Sequence, residues 1–345
     1  MSAFNTPLGK KTLSQLSEIL EKPRKVNIVT HFNPDGDAMG STLGLAHYLQ
    51  KKKHKVQIIT PNPWPAFIDW MPGLNMAMDF EHHEKKSTKV LKEAEVVFCL
   101  DFNHPSRVGK QMEDTLKGLN STIVVIDHHQ QPDSFAKFLF SDTSASSTCE
   151  MIYQFIEALG DIHFLDEQIS TCLYTGIMTD TGSFRFSSTG AHTHQIAAQL
   201  LIHGCKHEEI HSHIFDNNSV NRMQLLGFCL SEKMTVLPDL HAAFISLRKD
   251  ELERFHYHKG DTEGVVNYPL SIQGVGLSAL FIEKEEDIKI SFRSRGSLDV
   301  NKLARELFNG GGHINAAGAN TDMSMDEAIS TFVQALHQNR EGNSK

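Results

Sequence analysis

The first part of the chain alternates short apolar runs with longer stretches of helical periodicity. Residues 26–30 (Val-Asn-Ile-Val-Thr), 55–60, 95–100 and 122–126 are rich in β-branched and apolar side chains, and each predicts a strand of a parallel sheet. Leucines at helical spacing predict an amphipathic opening helix over 11–22. Met39, Leu43, Leu45, Ala46 and Leu49 recur at the same spacing and predict a helix over 38–50. Residues 26–60 therefore read as a βαβ unit with a right-handed crossover. Residues 61–79, with Pro-Trp-Pro and Met-Pro-Gly, read as loop or short helix. Further helices are expected over 146–159, from Asp166 through Ile169, Leu173 and Ile177 to Asp180, and over 191–203.

The pattern breaks at 214–222 and resumes as an amphipathic stretch to 234, a linker with a connecting helix. Beyond it come strand-like runs at 241–246, 275–283 and 287–295, a helix over 300–307 and a glycine-rich segment from Gly310. The fold class is α/β in two domains: a larger N-terminal parallel-sheet domain (1–212), the linker (213–234), and a smaller C-terminal α/β domain (235–345). A length of 345 residues is enough for two separate cores.

Chemistry collects where these elements end. The strand at 26–30 runs into His31, the turn Asn33-Pro34-Asp35-Gly36, and Asp37. Proline fixes φ in that turn, and Gly36 is expected to relieve the tight bend. The strand at 95–100 ends in Asp101, the strand at 122–126 in Asp127-His128-His129, and one helix in Asp180. Buried strands need no such ends for stability, and gathering carboxylates costs free energy unless cations offset it. Open α/β sheets place their ligand sites at this edge. Five carboxylates with two or three imidazoles suit Mn²⁺ or Mg²⁺ better than a thiolate zinc site. That many ligands exceeds the need of one tetrahedral ion and suits two ions about 3.5–4 Å apart sharing a carboxylate. Such a pair makes hydroxide available at neutral pH and clamps a phosphoryl oxygen, so phosphoester hydrolysis is the leading reaction class.

Composition narrows the alternatives. The net charge of −9 argues against a protein that coats long nucleic acid, including long duplexes, but leaves room for a small phosphorylated substrate held by local cations. No Gly-x-Gly-x-x-Gly follows the first strand, which disfavours dinucleotide cofactor binding. Five cysteines without paired spacing fit a reduced, cytoplasmic protein. The N-terminus shows no apolar signal-peptide core, and no run of about 18 apolar residues suggests a membrane span. Most of the 20 histidines, among them His82, His83, His203, His211, His213, His256 and His258, read as surface residues.

His31-x-Asn-Pro-Asp35-x-Asp37-Ala-x-Gly-Ser, Asp101, Asp127-His128-His129 and Thr-Asp180-Thr-Gly together resemble the four motifs of the DHH phosphoesterase superfamily. Ser291-Phe-Arg293-Ser294-Arg295 and Gly310-Gly311-Gly312-His313 followed by Ala-Ala-Gly resemble its DHH-associated C-terminal domain. The layout is most similar to the nanoRNase subgroup, oligoribonucleases that also dephosphorylate 3′-phosphoadenosine 5′-phosphate (pAp). The resemblance implies one metal on His31, Asp35 and Asp101, and a second on Asp37, Asp101, His128 and Asp180, Mn²⁺ in preference to Mg²⁺. It makes Asp127 a supporting residue and places His129 at the scissile phosphate. Arg107, Arg293, Ser294, Arg295, Gly311, Gly312 and His313 are expected to bind substrate phosphate, with the active site in a cleft between the domains. The expected partners are short oligonucleotides, pAp or dinucleotides, with a homodimer left open. Rival readings are a linear or cyclic dinucleotide phosphodiesterase, a RecJ-like single-strand exonuclease, a family II-type pyrophosphatase and a nucleotide binder without turnover.

Overall fold

The first unit is built on β1 (Lys25–Val29), β2 (Lys55–Thr60), β3 (Ala77–Asp79), β4 (Val96–Leu100), β5 (Thr122–Asp127) and β6 (Phe138–Ser141). All five pairings are parallel, in the order β3-β2-β1-β4-β5-β6. The computed structural model describes residues 2–258, 260–312 and 314–342, and the chain divides between Asn217 and Asn218. Among the described residues, eight α-helices accompany the sheet: α1 (Pro7–Leu20), α2 (Gly36–Lys51), α3 (Phe80–Glu93), α4 (Lys110–Lys117), α5 (Thr148–Ala158), α6 (Glu167–Asp180), α7 (Ala191–Ile202) and α8 (His207–Phe215).

The continuous apolar runs follow from this layering. Along β4, Val96, Phe98 and Leu100 join one core with Met39, Leu43 and Phe155. Val97 and Cys99 join a second core on the opposite face with Met112, Leu116 and Val125. A strand buried on both faces has no polar position to alternate with. The strand order reverses direction between β1 and β4, and ligands bind in such sheets outside the carboxyl ends at that point. His31 follows β1 and Asp101 follows β4, so the candidate chemistry sits at the reversal.

Helices α2 and α6 pack with little between their backbones. A β-carbon on Gly40 would lie 2.5 Å from the Cys172 carbonyl oxygen, and one on Gly44 would lie 2.6 Å from Leu173 Cδ2. Gly36 belongs to the same contact: its β-carbon would meet Thr179 Oγ1 at 2.3 Å. This corrects the expectation that Gly36 relieves the bend. The left-handed residue of the turn is Asn33 (φ +55°), and Gly36 is there for clearance against α6.

The second unit carries β7 (Met234–Leu237), β8 (Ala242–Leu247), β9 (Leu277–Glu283), β10 (Ile288–Ser294), β11 (Asn309–Gly312) and β12 (Ala316–Thr321), with helices α9 (Val220–Phe228), α10 (Lys249–Arg254), α11 (Val300–Leu307) and α12 (Met325–Gly342). Its sheet runs β11-β12-β10-β9-β8-β7, antiparallel except for the β8–β9 pair. Leu277, Ala279, Phe281, Ile290 and Phe292 pack one face against Phe332 and Leu303. The glycine-rich segment, to which the sequence assigned no secondary structure, is a strand in which Gly311 pairs with Gly318.

Candidate metal centre

Asp35 is the N-cap of α2: its Oδ1 accepts from the Asp37 and Ala38 amides at 3.0 Å each. The turn before it is pinned by Asn62, which accepts from the Asn33 amide at 2.6 Å and donates back to the Asn33 side chain at 3.2 Å. Asp37, in the first turn of α2, is buried against the start of α5. Its carboxylate accepts from the Thr148 amide (2.6 Å) and the Cys149 amide (2.9 Å), so a helix N-terminus holds it. Gly176 of α6 leaves room for it, since a β-carbon there would stand 2.8 Å from Asp37 Oδ1 and 2.2 Å from Cys149 Sγ.

Asp101 leaves β4 with a left-handed backbone, φ +64°, a conformation Asp tolerates better than most residues. Its two oxygens face different neighbours. Oδ2 lies 3.3 Å from His31 Nε2, while Oδ1 lies 3.6 Å from His128 Nε2, 3.7 Å from His129 Nδ1 and 2.9 Å from the Thr148 hydroxyl that donates to it. His128 Nε2 also stands 3.5 Å from Asp180 and 4.0 Å from Asp37. The result, among the described residues, is three triads whose ligand atoms lie within 4.8 Å of one another: His31, Asp35, Asp101; Asp37, His128, Asp180; and Asp101, His128, His129. The remaining imidazole nitrogens are occupied, His31 Nδ1 by the Phe32 carbonyl (3.0 Å) and His128 Nδ1 by the Ala145 carbonyl (3.3 Å). Each ring therefore turns Nε2 toward the cluster. Asp127 accepts from both the amide (2.9 Å) and the ring Nδ1 (2.7 Å) of His129.

The electrostatics are those of a site short of positive charge. Burial opposes a charged His31, but the hydrogen bond to Asp101 and the charges of Asp35 and Asp101 push it up to about 9. Burial and the nearby Asp101 charge raise Asp37 to about 7. Burial, with the charge of Asp37, holds Asp180 well above the carboxylate range. Burial opposes ionisation of Asp101 too, yet its bond to His31 and the His129, His31 and His128 charges hold it well below that range. His128 and His129 are both raised, against burial, by Asp101 and by Asp180 or Asp127. Protons stand in for cations at most of these positions. The donors are oxygen-rich with imidazole, and the nearest thiol, Cys149, is pushed up by burial and by Asp37, which leaves it protonated. That set fits hard or borderline divalent ions and not a thiolate zinc site.

The positions expected to meet substrate are spread over both units. Arg107, exposed in the turn at Pro105–Val108, acts electrostatically on His129. Arg293 is partly buried on β10, with Nη1 donating to the Phe292 carbonyl at 2.9 Å, and burial lowers its guanidinium. The Ser294 hydroxyl donates to the Leu298 carbonyl (2.6 Å) and accepts from Asn315 (2.9 Å). Arg295 is exposed. The Gly312 amide donates to Asn301 Oδ1 at 2.9 Å. His313 lies outside the described residues. Sequence reasoning missed Asn62, Thr148 and Cys149. Ser-Ser-Thr before an apolar helix marks a helix start, but nothing local says that the start faces Asp37.

Two family profiles match the chain, the DHH family N-terminal domain over 25–177 and the DHHA1 domain over 241–339. A Thermus thermophilus protein, bifunctional oligoribonuclease and PAP phosphatase NrnA, is 30% identical over 330 residues, 95% of this chain and 93% of that protein. The chain belongs to the DHH family. As a DHH phosphoesterase it is a metal-dependent hydrolase. The crystal structure of an exopolyphosphatase-related protein from Bacteroides fragilis superposes with a TM-score of 0.94 at 38% identity, covering 97% of this chain and 98% of that one. The cyclic-di-AMP phosphodiesterase GdpP of Bacillus subtilis is 26% identical over 95% of this chain, which spans half of that protein. Among the described residues, no helix of this DHH chain is long and apolar enough to cross a membrane.

Proposed function

We propose that this DHH phosphoesterase hydrolyses short oligonucleotides to mononucleotides and removes a phosphate from pAp, using two divalent cations, Mn²⁺ in preference to Mg²⁺. The observation that carries the two-cation reading is Asp101, whose two oxygens address separate donor sets 3.3 and 3.6 Å away. His31, Asp35 and Asp101 hold one ion, and Asp37, Asp101, His128 and Asp180 hold the other. When bound, the pair supplies activated water and charge neutralisation at the attacked phosphoryl group. The substrate class rests on the end-to-end similarity to a protein named for those two activities.

The chain's own groups supply the rest. The α5 N-terminus and Thr148 hold Asp37 and Asp101 in place before substrate arrives. Asp127 fixes the His129 ring and stabilises its charged form, leaving a proton on Nε2 for the scissile phosphate or the departing oxygen. Arg107, which acts electrostatically on His129, pairs with a phosphate oxygen, and Arg293, Ser294, Arg295, Gly311, Gly312 and His313 are the further phosphate-binding residues of this reading.

A substrate panel with Mn²⁺ tests this: pAp, di- to pentanucleotides of RNA and DNA, cyclic di-AMP, pyrophosphate and polyphosphate. Mononucleotides from the short oligomers and phosphate from pAp are expected. Rapid pyrophosphate hydrolysis with inert dinucleotides overturns the assignment. The similarity to GdpP favours one second reading, a linear or cyclic dinucleotide phosphodiesterase, and preferential turnover of cyclic di-AMP would establish it.

A further inference from the structure

Two phenylalanines stand in the open beside the cluster. Asp37, Asp101 and Asp127 are buried, whereas Asp35 and Asp180 have 58% and 34% of their side chains exposed, so the cluster opens where these two stand. Phe32 follows the ligand candidate His31 of one triad and is 48% exposed. Phe186 lies six positions past Asp180 of another triad and is 43% exposed. A single exposed apolar side chain needs no explanation, but two exposed aromatic rings, each close in sequence to a ligand candidate of a phosphoester-cleaving centre, do.

Both rings are held in the same way. The Phe32 amide donates to the Arg107 carbonyl at 2.7 Å, and its ring seats on Gly109 (φ +78°), where a β-carbon would stand 3.1 Å from Cδ2. The Phe186 amide donates to the Thr181 carbonyl at 3.0 Å, and its ring covers Gly182 (φ +56°), where a β-carbon would reach Cζ at 2.5 Å. The loop carrying Phe186 passes through three successive left-handed residues, Gly182, Ser183 and Phe184. It is fixed by the Thr181 hydroxyl, which accepts from the Phe184 amide at 2.9 Å, and by Phe184 stacked on His194 at 5.5 Å. Backbone strain concentrated beside a site is typical of preorganised ligand contacts. The Arg185 guanidinium is 5.9 Å from the Phe186 centroid, and Arg107, whose carbonyl accepts from the Phe32 amide, lies two positions before Gly109.

We propose that Phe32 and Phe186 form a base-stacking subsite, each ring taking the face of one nucleobase on either side of the bound phosphate, with Arg107 and Arg185 beside them for phosphate or π contacts. The inference rests on the nucleotide reading above. Every base has a π-face, so stacking gives affinity for a nucleoside unit without fixing its sequence. Rigid rings already in place lose little freedom when the base arrives.

The test uses the Mn²⁺-loaded enzyme and a dinucleotide carrying 2-aminopurine, whose fluorescence falls on stacking, with Phe32→Leu and Phe186→Leu. Leucine keeps apolar bulk over Gly109 or Gly182 but has no π-face. Rapid mixing with the unmodified enzyme is expected to quench the fluorophore, and each leucine variant to lose much of that quench. The ratio of kcat/KM for a diadenylate over its abasic analogue is expected to fall about tenfold, equivalent to about 1.4 kcal/mol, and Phe32→Trp to restore it. Turnover without any quench, or leucine variants that keep both quench and ratio, overturns the stacking subsite and leaves the proposed function standing. Quench with no turnover of any nucleotide overturns the proposed function and supports the subsite.

Discussion

At the scale of single residues, the site is defined by which protons it keeps. His31, raised to about 9, and Asp37, raised to about 7, both carry protons in the metal-free protein at pH 6. A cation binds neutral imidazole and ionised carboxylate, so it displaces those protons, and affinity rises with pH. From pH 7 to 9 the His31 proton contributes up to about tenfold tighter binding per pH unit, Asp37 adds to the dependence below 7, and the raised His128 and Asp180 steepen it further. Calorimetric titration of Mn²⁺ in two buffers of different ionisation enthalpy measures the protons released, and pH-independent affinity would contradict the assignment. The clustering of His31, Asp35, Asp37, Asp101, His128, His129 and Asp180 was legible from the sequence because acid and imidazole at the ends of apolar runs have no packing rationale. Asn62, Thr148 and Cys149 were not, because what they contribute is a backbone amide, a side-chain amide or a hydroxyl partner. Such a role becomes visible only when distant segments meet.

At the scale of elements, the contact between α2 and α6 decides whether Asp37 and Asp180 stand together. Gly176→Ala would drive a methyl group to within 2.2 Å of Cys149 Sγ and 2.8 Å of Asp37 Oδ1. A cost of about 1–3 kcal/mol in unfolding free energy is expected, with weakened metal binding. Gly227→Ala is the matched control: a β-carbon there, on an exposed face of α9, has nothing within 4 Å. It is expected to stabilise by about 0.5–1 kcal/mol. Denaturant unfolding of both variants reads the difference, and equal behaviour would remove the clearance argument. The periodicities predicted α2, α6, α7 and α11 within a few residues, and β1, β4 and β5 as buried strands. They missed β3 and β6, the sheet's two edge strands at three and four residues, too short to display a period. They also missed β11, whose three glycines carry no side-chain pattern at all.

At the scale of the molecule, each unit has its own sheet and core, and two separate family profiles match within them. The separation into two α/β units was legible from the break in pattern at 214–222; the antiparallel pairings of the second sheet were not, because α10 and α11 interrupt its strands much as crossover helices interrupt those of the first. The order β3-β2-β1-β4-β5-β6 has a consequence in time. His31 and Asp101 become neighbours only after β1 has found β4 across the intervening α2, β2, β3 and α3, and Asp180 joins only when α6 docks. Long-range parallel pairings of this kind form late. The metal therefore arrives at a nearly finished protein and acts as a latch: Mn²⁺ present from the start of refolding is expected to leave the folding rate unchanged. Unfolding slows instead, by a factor that grows with the metal concentration relative to its Kd. Stopped-flow refolding and unfolding with Mn²⁺ or with chelator separates the two limbs, and faster folding with metal would mean that the cluster assembles before its sheet.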